Sequence, residues 1–238
     1  DKMKYFGDAL SGLHKELNAA IRKPDQLERA KRLFLEIHSR LHLSSMTGTE
    51  KNEVDYLLND LTPDEYSIMP TSTDETIAWV LWHIARIEDL TMGILAAGGE
   101  QLFDGKWKRR LNAPISDTGN ALSDDEIMEL SRQLDLKELA AYRNAVGRRT
   151  RDIVKSLSAD GIKRKVSPQG LEAIKQAGGV ANQEKSLWLL DYWGKKDVAG
   201  LLLMPPTRHV ILHLNDCCKW KQYIRGGKKC FRHERRIT

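Results

Sequence analysis

Seven histidines lie along the chain, at positions 14, 38, 42, 83, 209, 213 and 233. Two pairs, His38/His42 and His209/His213, are spaced i, i+4. On a helix that spacing sets two imidazoles on one face about one turn apart, where both reach a single ion at about 2.0–2.1 Å. A third ligand must then come from another helix. Three neutral imidazoles suit Zn, Ni or Fe, and an open coordination position allows Lewis-acid chemistry on water, a thiol or a carbonyl. The same spacing also fits two exposed or core histidines, so spacing alone leaves both readings open.

Position against the apolar stripes narrows the choice. The last helix carries the stripe Val210, Leu214, Cys217, Ile224. His213 lies about 60° and His209 about 100° around the helix from Val210, so both flank the core face. His83 sits beside Ile87, Leu90 and Ile94, again at a stripe edge. A histidine on one helix and a pair on a facing one can meet at one end of a bundle. Ser39 and Arg40 separate His38 from His42, which reads as an exposed pair.

Other groups are candidates with plainer alternatives. Asp216 falls two turns after His209 and can orient a ligand or act as a base; a solvated helix carboxylate fits it equally. Glu88 and Asp89, five and six residues past His83, point to other faces. Cys217, four residues after His213, is either a fourth ligand or a small buried hydrophobe. Trp79, Trp82, Trp188 and Trp193 fit a pocket wall or a core.

The elements that must position these residues read as helices almost throughout. Amphipathic patterns cover 7–22 and, after Pro24, a second helix ending near Leu41, with Asp25 and Glu28 spaced as a capping box. A short helix over about 50–61 and a loop with Pro63 and Pro70 follow. Ser72 and Glu75 predict a box opening a helix to about Ala97, stopped by Gly98-Gly99. Ser123 and Glu126 predict another, opening a long helix over about 124–157. Residues 100–122 read as irregular, 158–200 as short helical pieces, and Pro205-Pro206 as the lead into a helix over about 207–225. No run of alternating β-branched residues predicts a strand. The simplest packing is a helical bundle over 1–225, followed by a basic tail over 226–238.

Composition sets the remaining limits. The 238 residues are 41% hydrophobic and 30% charged, a globular balance that excludes collagen-like and low-complexity classes. Net charge is +5, too mild by itself to drive nucleic-acid binding; the basic tail holds one aromatic, Phe231, and no recognition-helix motif. No apolar run approaches the ~20 residues that span a bilayer. The opening DKMKYFGDAL lacks an apolar segment of signal-peptide type, and Asp1 in place of Met reads as a trimmed chain. Three cysteines, two of them adjacent, make a poor disulfide framework and point to a cytoplasmic protein.

Two segments carry a family resemblance. Ser72-Thr-Asp-Glu-Thr-Ile-Ala-Trp-Val-Leu-Trp-His83-Ile-Ala-Arg-Ile-Glu-Asp89 resembles the second bundle helix of the DinB/YfiT-like superfamily. Arg208-His209-Val-Ile-Leu-His213-Leu-Asn resembles its last bundle helix. After His213 this chain continues Leu214-Asn215-Asp216-Cys217, where many members continue His-His-Arg-Gly-Gln. The resemblance implies an all-α, up-down-down-up four-helix bundle with a long crossover and additional short helices. It implies a three-His metal site on His83, His209 and His213. Zn or Ni comes foremost as the ion, with Fe or Mn also compatible. It further implies a homodimer acting on a small-molecule substrate, as a thiol-dependent S-transferase partnered by a low-mass thiol or as a metal-dependent hydrolase. The alternative is a non-catalytic metal- or ligand-binding bundle of a stress response.

Overall fold

The computed structural model describes residues 6–233 and is mostly helical. Helices α1 (Asp8–Ala20), α2 (Leu27–Arg40) and α3 (Glu53–Leu58) come first. Helix α4 (Ile77–Glu88) runs on into a π-helical stretch, Asp89–Ala96. Next are α5 (Gly105–Arg110), α6 (Asp124–Gln133) and α7 (Leu136–Ser156). Four short helices follow: α8 (Ala159–Lys163), α9 (Pro168–Gln176), α10 (Glu184–Gly194) and α11 (Val198–Leu202). A second π-helical stretch, Met204–Arg208, then leads into α12 (His209–Arg225).

Helix α4 is the centre of the packing. Every one of its residues is buried, and it lies against α7 on one side and α12 on another. A helix buried all round must satisfy each of its polar side chains inside the protein. Arg86 does so with the Ser116 and Gln101 oxygens and an ion pair to Asp89 at 3.2 Å. Asp89 in turn accepts from the Tyr142 hydroxyl at 2.6 Å and from the Leu102 and Phe103 N–H groups. This network ties α4 to α7 and to the chain that follows the π-helical stretch. His83 and Glu88 find other partners, described below.

Several element ends differ from the sequence expectation. Ser72 does not cap α4. Asp74 instead accepts from the Thr71 N–H and hydroxyl in a turn, and Thr76 caps the helix by accepting from the Trp79 N–H at 3.0 Å. Asp25 and Glu28 form no box, because Pro24–Gln26 is a 3-10 turn. The box at Ser123 and Glu126 is present. The helix it opens ends at Leu134, which turns extended, and Asp135 starts α7 by accepting from the Glu138 N–H at 2.9 Å. Two strands of two residues, β1 (Ile68–Met69) and β2 (Arg232–His233), pair antiparallel, so Arg232 and His233 of the basic tail are held against the body. The tail residues after His233 lie outside the described residues.

Pro205 and Pro206 do not stop the winding between α11 and α12. Proline lacks an N–H, so an i→i+4 ladder loses donors there. The wider π-helical turn takes up the gap, and the Thr207 hydroxyl donates to the Leu202 carbonyl at 2.8 Å.

Candidate metal centre

Helices α4 and α12 bring His83 together with His209 and His213. The Nε2 atoms of His83 and His213 each lie 3.1 Å from Nε2 of His209. All three ligand atoms fall within 4.8 Å of one another. Donors about 2.0–2.1 Å from a tetrahedral zinc sit about 3.3 Å apart, so the cluster fits one ion with little adjustment.

A loop that the sequence reads only as irregular fixes these rings. The Trp82 Nε1–H donates to the Asp117 carbonyl at 2.9 Å. The Trp79 Nε1–H donates to the Gly119 carbonyl at 3.1 Å. Between them, His83 Nδ1 lies 2.8 Å from the Thr118 carbonyl, which can only accept. The proton of His83 therefore sits on Nδ1, and the Nε2 lone pair faces the cluster. Such outer partners set the tautomer and orientation of a ligating imidazole. Gly119 has φ +78°, and a Cβ there would stand 2.8 Å from the Trp79 Nε1, so the turn needs glycine twice over. The stretch Asp117-Thr-Gly-Asn120 carries turn chemistry in its sequence. Nothing local says which ring donors meet its carbonyls.

Charge at the centre follows from burial. Burial holds His83 well below its ordinary pKa, aided by the neighbouring rings of His209 and His213. Burial and the adjacent His213 lower His209 to about 3; the Pro205 carbonyl opposes this without being aligned as an acceptor for Nδ1. Burial also lowers His213, against the field of Asp216. All three rings are thus neutral near neutrality, the state in which imidazole can ligate.

The cluster opens onto a cleft of about 450 Å³. Trp79, Trp188, Tyr192, Trp193, Met204 and Pro205 make most of its apolar wall, and Asn120 is its polar member besides the histidines. Trp79 stacks on His83, with ring centroids 4.4 Å apart. Helix α10, one of the short helical pieces expected over 158–200, supplies Trp188, Tyr192 and Trp193. Trp82 is buried behind the cleft rather than in its wall. A larger groove of about 590 Å³ near Tyr56, Cys218 and Arg225 holds none of the three histidines.

The remaining candidates lie apart. Asp216 is outside the cluster, part-exposed, and pairs with Lys219 at 3.1 Å. Cys217 is buried, outside the cluster, and within the field of Arg143; burial pushes its thiol up. The expectation of an exposed His38/His42 pair, drawn from Ser39 and Arg40, is overturned. Both histidines are fully buried and converge on Glu88 as a second group able to hold an ion. Sequence reasoning missed this because Glu88 belongs to another helix, fifty residues from His38.

The family model of the DinB superfamily matches residues 47–186, more than half of the chain. The matched span includes His83 and the Asp117–Asn120 loop and ends before His209. No curated protein matches the sequence. With its helical fold and the His83 segment inside the matched span, the chain belongs to the DinB superfamily.

Proposed function

We propose that this chain is a metal-dependent enzyme that joins a low-mass thiol to a small apolar electrophile in the cleft beside His83, His209 and His213. We take its long helices as the up-down-down-up four-helix bundle with a long crossover that the resemblance implies. One observation carries the reading: three neutral imidazoles, with Nε2 contacts of 3.1 Å, converge at the wall of an apolar cleft. Membership of the superfamily alone would not name a reaction.

Zn or Ni is the ion of choice for three imidazole donors. Bound there, it supplies Lewis acidity and favours the deprotonated form of a nearby thiol or water. The chain's own residues do the rest. The Thr118 carbonyl keeps the proton of His83 on Nδ1. Trp79, Trp188 and Tyr192 exclude water and receive the apolar part of a substrate. Asn120 offers the polar contact that orients it. Asp216 biases the charge of His213 from outside the cleft.

The largely apolar, aromatic wall suits an apolar electrophile, which is why S-transfer is the reading we put first. Amide or ester cleavage calls for a group that delivers a proton to the leaving group. The residues lining the cleft include no carboxylate and no ammonium group, which leaves the Tyr192 hydroxyl as the candidate proton donor besides the histidines. S-transfer to an activated electrophile with a halide leaving group needs no such donor.

The test is conjugation of monochlorobimane by zinc- or nickel-loaded protein with a panel of low-mass thiols. Metal-dependent turnover with at least one thiol is expected, together with its loss in His209→Ala. Tight metal binding without turnover for any thiol would overturn S-transfer.

A further inference from the structure

We propose that His38, His42 and Glu88 form a second, fully enclosed binding site for a divalent transition ion, separate from the cleft. His38 lies on α2, His42 follows two residues after its end, and Glu88 is the last residue of α4. The three side chains have 0%, 0% and 2% of their surface exposed. His38 Nε2 lies 2.6 Å from Oε1 of Glu88, and His42 Nε2 lies 3.4 Å from Oε2. All three ligand atoms fall within 4.8 Å of one another.

Protons alone leave this group poorly satisfied. A proton on His38 Nε2 serves the shorter contact. Both nitrogens of His42 and the Nδ1 of His38 then have no hydrogen-bond partner, although all are buried. An unpaired buried polar atom costs about 1–3 kcal/mol. One cation between the two Nε2 atoms and the carboxylate engages His42 Nε2, with the ring protons moved to Nδ1. Two imidazoles and a carboxylate from facing helices are a donor set that zinc accepts.

The neighbouring helix makes room for this arrangement. Gly147 on α7 faces the His42 ring, and a Cβ there would stand 2.7 Å from Cε1 and 2.9 Å from Nδ1. Any side chain at 147 would push the imidazole out of reach. The buried Arg143 guanidinium, which donates to the Leu41 carbonyl, adds a positive field at His42 and Glu88. It opposes a cation, so affinity is weaker than for the same donors without it. Enclosure by α2, α4 and α7 makes exchange slow compared with the cleft.

Zinc counting tests the proposal independently of the cleft. Full-length protein produced in zinc-supplemented medium, then freed of loose ion by gel filtration, is expected to carry two zincs per chain. His209→Ala/His213→Ala should keep one, released slowly to a chelator, and adding Glu88→Gln should remove it while the far-UV circular dichroism is unchanged. One zinc in the parent, lost completely in the double variant, overturns the second site and leaves the cleft reading intact. One zinc in the parent, still present in the double variant and lost with Glu88→Gln, supports the second site and overturns the cleft reading. If Glu88→Gln does not fold, an anomalous-difference map of zinc-loaded parent crystals decides. A peak between the Glu88 carboxylate and the two rings is expected, and its absence overturns the site.

Discussion

His83 Nδ1 lies 2.8 Å from the Thr118 carbonyl oxygen. This bond aims the other nitrogen of the ring at His209 and His213 before any ligand arrives. Two ring donors on the same helix, Trp79 and Trp82, hold the carbonyls on either side of Thr118. The loop is therefore a clamp on the ring-bearing face of α4, and the metal reading depends on it.

Replacing His83 or His213 by alanine removes one of three ligands. Outer partners of a ligand typically cost about 10–100-fold in metal affinity, so losing a ligand should cost the cleft more than about 100-fold. Competition titration with a chromophoric zinc chelator measures this. Unchanged affinity in both variants would exclude the three-ring centre.

Metal binding should stabilise the fold by mass action. Free zinc at about one hundred times the dissociation constant adds about 2.7 kcal/mol. For a chain of this size that raises Tm by about 5–10 °C. Differential scanning calorimetry with and without chelator reads the shift, which should be smaller in His209→Ala.

The metal-free protein should lose stability in mild acid. His42 and His209 have folded pKa values of about 3, against an ordinary 6.5. Burial comes first for both, joined by Arg143 at His42 and by His213 at His209. Between these values the unfolded chain binds more protons than the folded one, so stability rises with pH and is complete above about 6.5. Each such group contributes about 1.4 kcal/mol per pH unit within the window. Urea midpoints taken from about pH 7 down to about pH 5, above the ordinary carboxylate range, should fall steadily, and less steeply in His42→Gln. A flat profile would contradict neutral buried rings.

Removing the Asp89 carboxylate strands a buried guanidinium. Asp89→Ala takes from Arg86 its ion-pair partner, and from Tyr142, Leu102 and Phe103 their acceptor. Breaking a buried pair in this way costs about 3–5 kcal/mol. Chemical denaturation measures it.

Trp188 and Trp193 should separate substrate binding from stability. Trp188 is 48% exposed at the cleft and Trp193 only 1%. Trp193→Ala should cost about 3–5 kcal/mol as a core truncation. Trp188→Ala should leave Tm and zinc content unchanged while raising KM for an apolar electrophile. An unaltered KM would remove Trp188 from the substrate wall.

Ligand types and local spacing were legible without coordinates. His209 and His213 share a helix face because four residues make about one turn, and their place beside Val210 and Leu214 put them at the core edge. Helix content followed from the apolar periodicity, and the Ser123 cap from its partner three residues on. Caps failed where a competing turn was available: Asp74 serves Thr71, so Thr76 starts α4 instead. The long helix over 124–157 broke because Asp135 offers a second N-cap within it.

The two histidine pairs mark the boundary between sequence and tertiary structure. His38/His42 and His209/His213 have identical spacing, but only the second pair shares a helix face: His209 and His213 both lie on α12, whereas His42 falls just past the end of α2. What each pair faces is set by packing. Helix α4, buried on every side, turns His83 toward α12 and Glu88 toward α2, because residues five apart on a helix point to different sides. Partners distant in sequence were invisible to local periodicity. The Thr118 carbonyl and the glycine gap at 147 were equally so, since both depend on backbone positions that only the assembled helices define.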